Sequence, residues 1–243
     1  MTTTWAGTDQ RFRIADEALE ELPIFPLPNT VLLPRTLMSL HVFEPRYRAL
    51  MEDCIDGHRL MAIGMLDDDR GPDEYERPPI HRVAGIGRLR KSTRKADGGF
   101  NILLEGIGRA DISSEWGPTK PYRRARARML ADEIPRDKSD LALAMFNLRT
   151  LSARALAHIT EQEAEILRSL NGVQDPACLA DIIAAATIED SGDRQHVLST
   201  ASVLERVRLV AGLLGQMLLI AQDDIEGPEP VVDLRWGVTL GRA

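Results

Sequence analysis

The sequence contains few cysteines and few aromatic residues. Only 2 of its 243 residues are cysteine, and Cys54 and Cys178 lie far apart with no Cys-x-x-Cys pair or Cys/His cluster. This spacing argues against a disulfide framework and against a zinc site, and it fits a reducing compartment. Aromatic residues make up 5% of the chain, so we expect a core built mainly from Leu, Ile, Val and Ala.

Long apolar stretches are also missing. Residues Met1–Arg13 contain no apolar segment and include Asp9, which argues against a signal peptide. No apolar run approaches the roughly 18 residues that a membrane span requires. Acidic residues outnumber basic ones by 37 to 30, which disfavours non-specific attraction to anionic membranes or nucleic acid. We therefore expect a soluble cytoplasmic protein with no membrane partner.

Common catalytic motifs are absent as well. The sequence has no G-x-x-x-x-G-K-[ST], H-E-x-x-H or G-x-S-x-G motif, and its five histidines are scattered. Lys91 and Ser92 are adjacent, but neighbouring residues on a strand point to opposite faces, which disfavours a Ser–Lys dyad. We therefore expect no catalytic residue, no metal ligand and no cofactor, so the chain is not predicted to be an enzyme.

What is present predicts an α+β protein in four parts. We expect a flexible segment over 1–20, a strand-rich part over 21–132, a helical bundle over 139–225 and a tail over 226–243. Short apolar runs broken by Pro and Gly predict strands over Leu22–Leu27, Leu37–Phe43, Leu60–Leu66, Val83–Arg94, Phe100–Ile112 and Tyr122–Leu130. Asp97-Gly98 predicts a tight hairpin turn. Six strands and one short helix indicate a small twisted sheet that closes on itself.

The short helix is predicted to begin at Pro45 and to end at Gly57. Proline suits the first helical position, and glycine is favoured just beyond a helix end. Apolar residues recur at helical spacing from Tyr47 to Ile55. Cys54 lies on this stripe, so we interpret it as a core residue and not as a nucleophile.

The second half is predicted to form about three helices. Helical periodicity runs over Asp140–Leu170 with a break near His158, and Asp175-Pro176 opens a helix that continues to Ala186. Ser202–Glu205 is a capping box that opens a long final helix. An additional strand over Val231–Ala243 is an open alternative.

Two basic clusters lie in the strand-rich half, at Arg88–Lys91 with Arg94 and at Lys120–Arg128. They have two interpretations. Either they bind an anionic partner, or they are solvated strand faces whose charge discourages edge pairing. The scarcity of aromatic residues for base stacking favours the second interpretation.

Three separated segments carry a family resemblance. Leu22–Pro28 (LPIFPLP), Leu33-Pro34 and His41–Tyr47 (HVFEPRY) occur in this order, and together they resemble the amino-terminal domain of Lon-type ATP-dependent proteases. The resemblance continues to about residue 220 through Val83–Arg90, Gly106–Arg109, Asp175–Ala186, Gln195–Leu198 and Glu205–Leu214. The chain departs from the family pattern at Arg35, where a glycine usually stands, and at Leu33 and Ala110, which replace aromatic residues.

The resemblance implies a PUA-like six-stranded pseudo-barrel followed by a helical bundle. In the whole enzyme, this unit helps to engage unfolded or tagged substrates and supports oligomer assembly. We expect a stand-alone, non-catalytic member without the ATPase and protease domains, which binds exposed apolar polypeptide segments or acts as an adaptor. The alternative is a nucleic-acid-binding PUA-like protein, and the oligomeric state is open.

The motif residues are expected to be structural, and no binding residues are assigned. They are Pro23, Phe25, Pro26, Leu27, Pro34, Phe43, Glu44, Arg46, Tyr47, Gly106 and Arg109. Because Pro45 fixes the start of a helix, packing and hydrogen bonding account for Glu44, Arg46 and Tyr47 better than ligand contact does. The groove between barrel and bundle is the default expectation for a binding site.

Overall fold

The computed structural model describes residues 14–156 and 158–226. Its strands are β1 (Leu22–Leu27), β2 (Leu37–Val42), β3 (Leu60–Met65), β4 (Val83–Arg94), β5 (Phe100–Glu115) and β6 (Arg123–Met129). Its helices are α1 (Asp16–Glu20), α2 (Pro45–Asp56), α3 (Ser139–Ala155), α4 (Glu161–Ser169), α5 (Pro176–Thr187), α6 (Ser191–Ser199) and α7 (Val203–Glu226), with a 3₁₀ turn at Leu170–Gly172. The α+β class is confirmed.

The six strands form one sheet that closes on itself. Their order is β2-β5-β4-β3-β1-β6, and β5 also pairs with β6. β5 is long enough to pair with β2 through residues 100–105 and with β6 through residues 110–115. Strands β5, β4, β3, β1 and β6 therefore form a closed ring, and β2 extends the sheet from the first half of β5.

The loop between β1 and β2 passes directly over the barrel wall. Leu32 and Leu33 in this loop are buried. A side chain at Gly85 would place its Cβ 2.0 Å from the Leu32 carbonyl oxygen, and one at Gly106 would place it 2.1 Å from the Leu33 carbonyl oxygen. Both strands therefore need glycine where the loop backbone lies against them.

Arg35 ends this loop in a left-handed conformation, with φ of 64°. Its N–H donates to the Gly106 carbonyl at 2.6 Å, while the Gly106 N–H donates to the Thr36 carbonyl at 2.8 Å. This is the hydrogen-bond pattern of a G1 bulge, whose first residue is usually a glycine in the left-handed region. Arg35 therefore keeps the geometry of this turn, although an arginine stands where glycine is preferred.

Helix α2 forms as predicted, and its Cys54 is a core residue. The Cys54 side chain is 2% exposed and its Sγ donates to the Leu60 carbonyl. Burial raises the pKa of the Cys54 thiol to about 12. The thiolate needed for nucleophilic chemistry is therefore disfavoured near neutral pH.

The helical half contains five α-helices in the described range, not about three. The predicted break near His158 is present, and Thr160 opens α4 with a capping box involving Glu163. Asp175 caps α5 by accepting from the Ala177 and Cys178 N–H groups. Helix α6 was missed because its nine residues are mostly polar and carry no clear apolar stripe.

The expected flexible segment over 1–20 differs from the structure in its last residues. Asp16–Glu20 forms α1, and Ala18 and Leu19 are buried against the barrel. Residues 1–13 and the alternative strand over Val231–Ala243 lie outside the described residues. Within the described ranges, none of the helices combines the length and apolar character that a bilayer crossing requires.

A buried group of charges joins barrel and bundle. Arg109 on β5 is 3% exposed, and its guanidinium contacts Asp181 on α5 at 2.5 Å and the Leu198 carbonyl at 3.0 Å. Arg206 on α7 is fully buried and contacts Asp132 at 2.7 Å. The two halves therefore share ion pairs that neither half contains alone.

Candidate functional site

An open cavity with a volume of about 420 Å³ lies at the ends of β1 and β2 and the start of α2. We call it the β1–β2 pocket. It is lined by residues of the β1 end, the β2 end, the α2 start and two loops: Phe25, Pro26, Leu27, Pro28, Leu40, His41, Val42, Phe43, Glu44, Arg46, Tyr47, Leu66, Arg77, Pro78, Pro118, Lys120, Pro121, Tyr122 and Arg123. Most of these side chains are apolar, aromatic or proline.

Aromatic side chains are concentrated in this pocket. It contains two of the five phenylalanines and two of the three tyrosines of the chain. Phe25 and Tyr47 are buried and meet edge to face with ring centroids 4.3 Å apart. Phe43 is 59% exposed and stacks on His41 at 6.0 Å. An exposed Phe beside a buried aromatic pair offers apolar contact area to a ligand.

The Glu44-Pro45-Arg46-Tyr47 segment turns the chain from β2 into α2. The Glu44 carbonyl accepts from the N–H groups of Tyr47 and Arg48, and Pro45 occupies the first helical turn. The Glu44 carboxylate accepts from Arg46 Nε at 2.9 Å. The Arg46 guanidinium lies 4.5 Å from the Tyr47 ring centroid. The segment therefore fixes the helix start and places Tyr47 in the pocket.

The charged rim of the pocket is mainly basic. Four of its five Lys, Arg, Asp and Glu residues are cations (Arg46, Arg77, Lys120 and Arg123), and Glu44 is the acid. Carboxylates outside the lining hold three of them in place. Asp73 contacts Arg77 at 2.6 Å, Glu115 contacts Arg123 at 2.5 Å and Asp53 contacts Lys120 at 2.6 Å.

Hydrogen bonds to Asp53 also affect the pKa values of two groups at the rim, Asp53 itself and Tyr122. The hydrogen bond from Lys120, followed by that from Tyr122, lowers the pKa of Asp53. Burial, followed by the hydrogen bond to Asp53, raises the pKa of Tyr122 to about 12. Near neutral pH, Tyr122 is therefore a neutral hydroxyl that donates to the Asp53 carboxylate.

The motif residues divide into two groups in the structure. Seven line the β1–β2 pocket: Phe25, Pro26, Leu27, Phe43, Glu44, Arg46 and Tyr47. The other four lie elsewhere. Pro23 is opposite Arg124 in the β1–β6 pairing, Pro34 and Gly106 meet where the β1–β2 loop crosses the barrel, and Arg109 reaches the bundle. The sequence did not indicate that the first group shares one surface.

The β1–β2 pocket does not lie in the groove between barrel and bundle, which is the default expectation from the sequence. The β1–β2 pocket is lined by barrel residues alone, whereas the junction between the halves holds the buried ion pairs of Arg109 and Arg206. Another cavity, of about 260 Å³, is lined by Ile134, by α3 and its preceding residue, and by the start of α5.

The two basic clusters are largely paired with carboxylates. In the first cluster, Arg90 pairs with Glu105 and Arg94 with Glu52. The second cluster follows the same pattern, with the pairs Arg123–Glu115, Arg124–Glu21, Arg126–Glu20 and Arg128–Asp111. Such pairing reduces the charge available to a phosphate backbone, which favours the solvated-face interpretation. In the part of the chain that the structure describes, no three His, Cys, Asp or Glu residues are grouped as metal ligands would be.

A family model decides the relationship suggested by the motifs. The model of the ATP-dependent protease La (LON) substrate-binding domain matches residues 21–216. The chain belongs to the Lon substrate-binding domain family. The matched range includes the whole barrel, the β1–β2 pocket and most of the helical half.

Similar proteins include two Lon proteases. The chain is 30% identical to Lon protease 2 of Sorangium cellulosum over 204 residues, which is 82% of this chain and 25% of that protein. It is 29% identical to the Lon protease of Dictyoglomus thermophilum over 206 residues, or 84% of this chain and 25% of that protein. The chain therefore spans about a quarter of the length of the curated relatives it matches.

Solved structures with the same fold include two Lon amino-terminal domains. The N-terminal domain of the Mycobacterium avium complex Lon protease superposes with a TM-score of 0.64 at 20% identity, covering 81% of this chain and 98% of that domain. The Lon N-terminal domain protein from Xanthomonas campestris gives a TM-score of 0.55 at 20% identity, with 82% and 97% covered. At this level of identity, the likeness supports the fold of the Lon domain family.

Proposed function

We propose that this Lon-type domain binds exposed apolar segments of other polypeptides in the β1–β2 pocket and performs no chemistry of its own. The observation that carries the proposal is the concentration of family motif residues on one apolar concave surface. Phe43 is the main anchor because it is both in the motif and 59% exposed. The family relationship supports a polypeptide as the ligand, since the matching model describes a substrate-binding domain.

The pocket chemistry fits this ligand class. An unfolded polypeptide exposes aromatic and aliphatic side chains, and burying one such side chain contributes roughly 1.5–3 kcal/mol. The buried Phe25–Tyr47 pair forms a rigid apolar wall for it. In this role, the domain holds a segment and presents it to a partner, as an adaptor does.

Replacing Phe43 tests the proposal. We expect Phe43→Ala to weaken binding of fluorescently labelled, reduced and carboxymethylated α-lactalbumin by roughly tenfold, because the variant loses most of one aromatic contact. Fluorescence anisotropy measures the dissociation constants, and native α-lactalbumin serves as the folded control. Circular dichroism checks that the variant keeps its fold.

Phe146→Ala is the matched control. Phe146 lies on α3 outside the pocket and is 66% exposed, so its exposure resembles that of Phe43. We expect it to change binding by less than about twofold. Equal losses in the two variants, or no binding by the unmodified chain, would refute the pocket as the binding site.

A further inference from the structure

The backbone of β2 next to the pocket is available for strand pairing. Among the described strands, β2 pairs with β5 on one side and with none on the other. Five of its six residues are exposed or half-buried. An unpaired edge of this kind is a template for another extended chain.

The hydrogen-bond pattern shows which residues face outward. The β2–β5 register places Thr36 opposite Gly106, and the Gly106 N–H donates to the Thr36 carbonyl. Bonded and non-bonded pairs alternate in an antiparallel ladder. The N–H and C=O groups of Ser39 and His41 therefore point away from β5. The side-chain contact between His41 and Asn101 at 2.7 Å fits this assignment, because side chains approach more closely at non-bonded pairs.

The pocket borders this edge. Four consecutive residues, 40–43, line it. Successive side chains of a strand point to opposite faces of the sheet. Because all four residues line the pocket, the pocket lies beside the edge of the strand and not over one face of the sheet. A ligand in the pocket therefore lies next to the outward-facing groups of His41.

The lining of the pocket determines which side chain it accepts. Each of its four cations is paired with a carboxylate, in the pairs Arg46–Glu44, Arg77–Asp73, Lys120–Asp53 and Arg123–Glu115. The rim therefore offers little net charge to a ligand. The other lining residues are mostly apolar, aromatic or proline, which favours a segment that presents an apolar side chain to the pocket.

We propose that an extended polypeptide segment with apolar side chains adds as a strand to the free edge of β2. Its backbone pairs with Ser39 and His41, and one apolar side chain enters the β1–β2 pocket beside Phe43. This inference rests on the proposed function and specifies its binding mode. Strand addition gives affinity through the main chain, while pockets select side chains.

The probe is a fluorescein-labelled seven-residue peptide, Glu-Val-Glu-Phe-Glu-Val-Glu, with three matched forms. One carries N-methyl groups on alternate residues, one has Gln in place of Glu, and one has Lys in place of Glu. We expect N-methylation to weaken binding by about tenfold or more, because it removes backbone donors while keeping the side chains. The Gln and Lys forms should bind within about fivefold of the parent peptide, because each rim cation is already paired with a carboxylate.

A protein variant supplies an independent arm. Ser39→Pro removes an outward N–H from an edge strand, a position that can accept proline, while Ser39→Ala keeps the N–H and serves as its control. We expect Ser39→Pro to weaken the parent peptide by about tenfold and Ser39→Ala by less than twofold. Amide exchange measured by NMR should show new protection at Ser39 and His41 when the peptide binds.

The outcomes separate this inference from the proposed function. Equal affinity of the parent and N-methylated peptides would overturn strand addition, even if unfolded α-lactalbumin still binds and depends on Phe43. If neither α-lactalbumin nor the peptide binds, the proposed function fails as well. A dimer whose Ser39 and His41 amides are already protected without peptide would overturn the inference in favour of a second copy on this edge.

Discussion

At the scale of single residues, glycines distinguish places of close packing from open surface. Gly106 belongs to the family motif, and its missing side chain lets the Leu33 carbonyl approach the β5 backbone. A Cβ added at Gly212 on α7 would meet no atom within 4 Å apart from the backbone of its own helix and its chain neighbours. The same substitution should therefore have opposite effects at the two sites.

Gly106→Ala should destabilise the fold by roughly 3 kcal/mol or more, because the new Cβ would lie 2.1 Å from backbone that has little room to move. Gly212→Ala should instead stabilise by about 0.5–1 kcal/mol through helix propensity. Urea unfolding followed by circular dichroism measures both values. A loss at Gly106 no larger than about 1 kcal/mol would contradict the close approach of loop and strand.

Some residue positions follow from the sequence and others do not. The position of Cys54 in the core follows from the local helical stripe around it, and the structure confirms this burial. The shared pocket of Phe25, Phe43 and Tyr122 does not follow from the sequence, because these residues come from separate segments of the chain. Only the closure of the sheet brings them together.

At the scale of elements, local signals predicted most of the boundaries. β1 and β4 have their predicted bounds, and α2 begins at Pro45 as expected. Helices α1 and α6 were missed because five and nine residues are too few for a clear apolar period. Tertiary packing holds such short helices, and it is not visible in a short sequence window.

Asp175 has two roles at the start of α5 that substitutions can separate. Its carboxylate caps the helix, and it pairs with Arg35 at 2.7 Å. Asp175→Ala removes both interactions and should cost about 1–2 kcal/mol. Asp175→Asn keeps a good cap and loses the ion pair, which is partly exposed, so it should cost about 0.5 kcal/mol or less. Thermal unfolding measures both, and equal losses would contradict a dominant capping role.

At the scale of the whole molecule, buried ion pairs and a shared apolar core join barrel and bundle. Arg109 comes from β5, whereas Asp181 and Arg206 come from α5 and α7. Arg109 and Asp181 are 72 residues apart in the sequence. The motif arginine could therefore be recognised from the sequence, but not its partners.

Removing Asp181 should uncouple the two halves. Asp181→Leu leaves the buried guanidinium groups of Arg109 and Arg206 with Asp132 in place of two shared carboxylates, which should destabilise by about 3 kcal/mol. Adding Arg109→Met should recover part of this loss, because the double variant buries one cation less and leaves Asp132 to Arg206.

Two probes can follow the halves separately. Trp116 donates from Nε1 to the Glu20 carbonyl at the barrel, and Trp5→Phe with Trp236→Phe leaves it as the sole tryptophan. Its fluorescence reports the barrel, while circular dichroism at 222 nm reports mainly the helical half. We expect the two urea transitions to coincide in this background and to separate once Asp181→Leu is added, since apolar packing of Val31, Leu33 and Met65 and the hydrogen bond from Gln195 to the Val83 carbonyl would then be the main coupling between the halves. Coincident transitions in the Asp181→Leu protein would show that apolar packing, and not the buried charges, joins barrel to bundle.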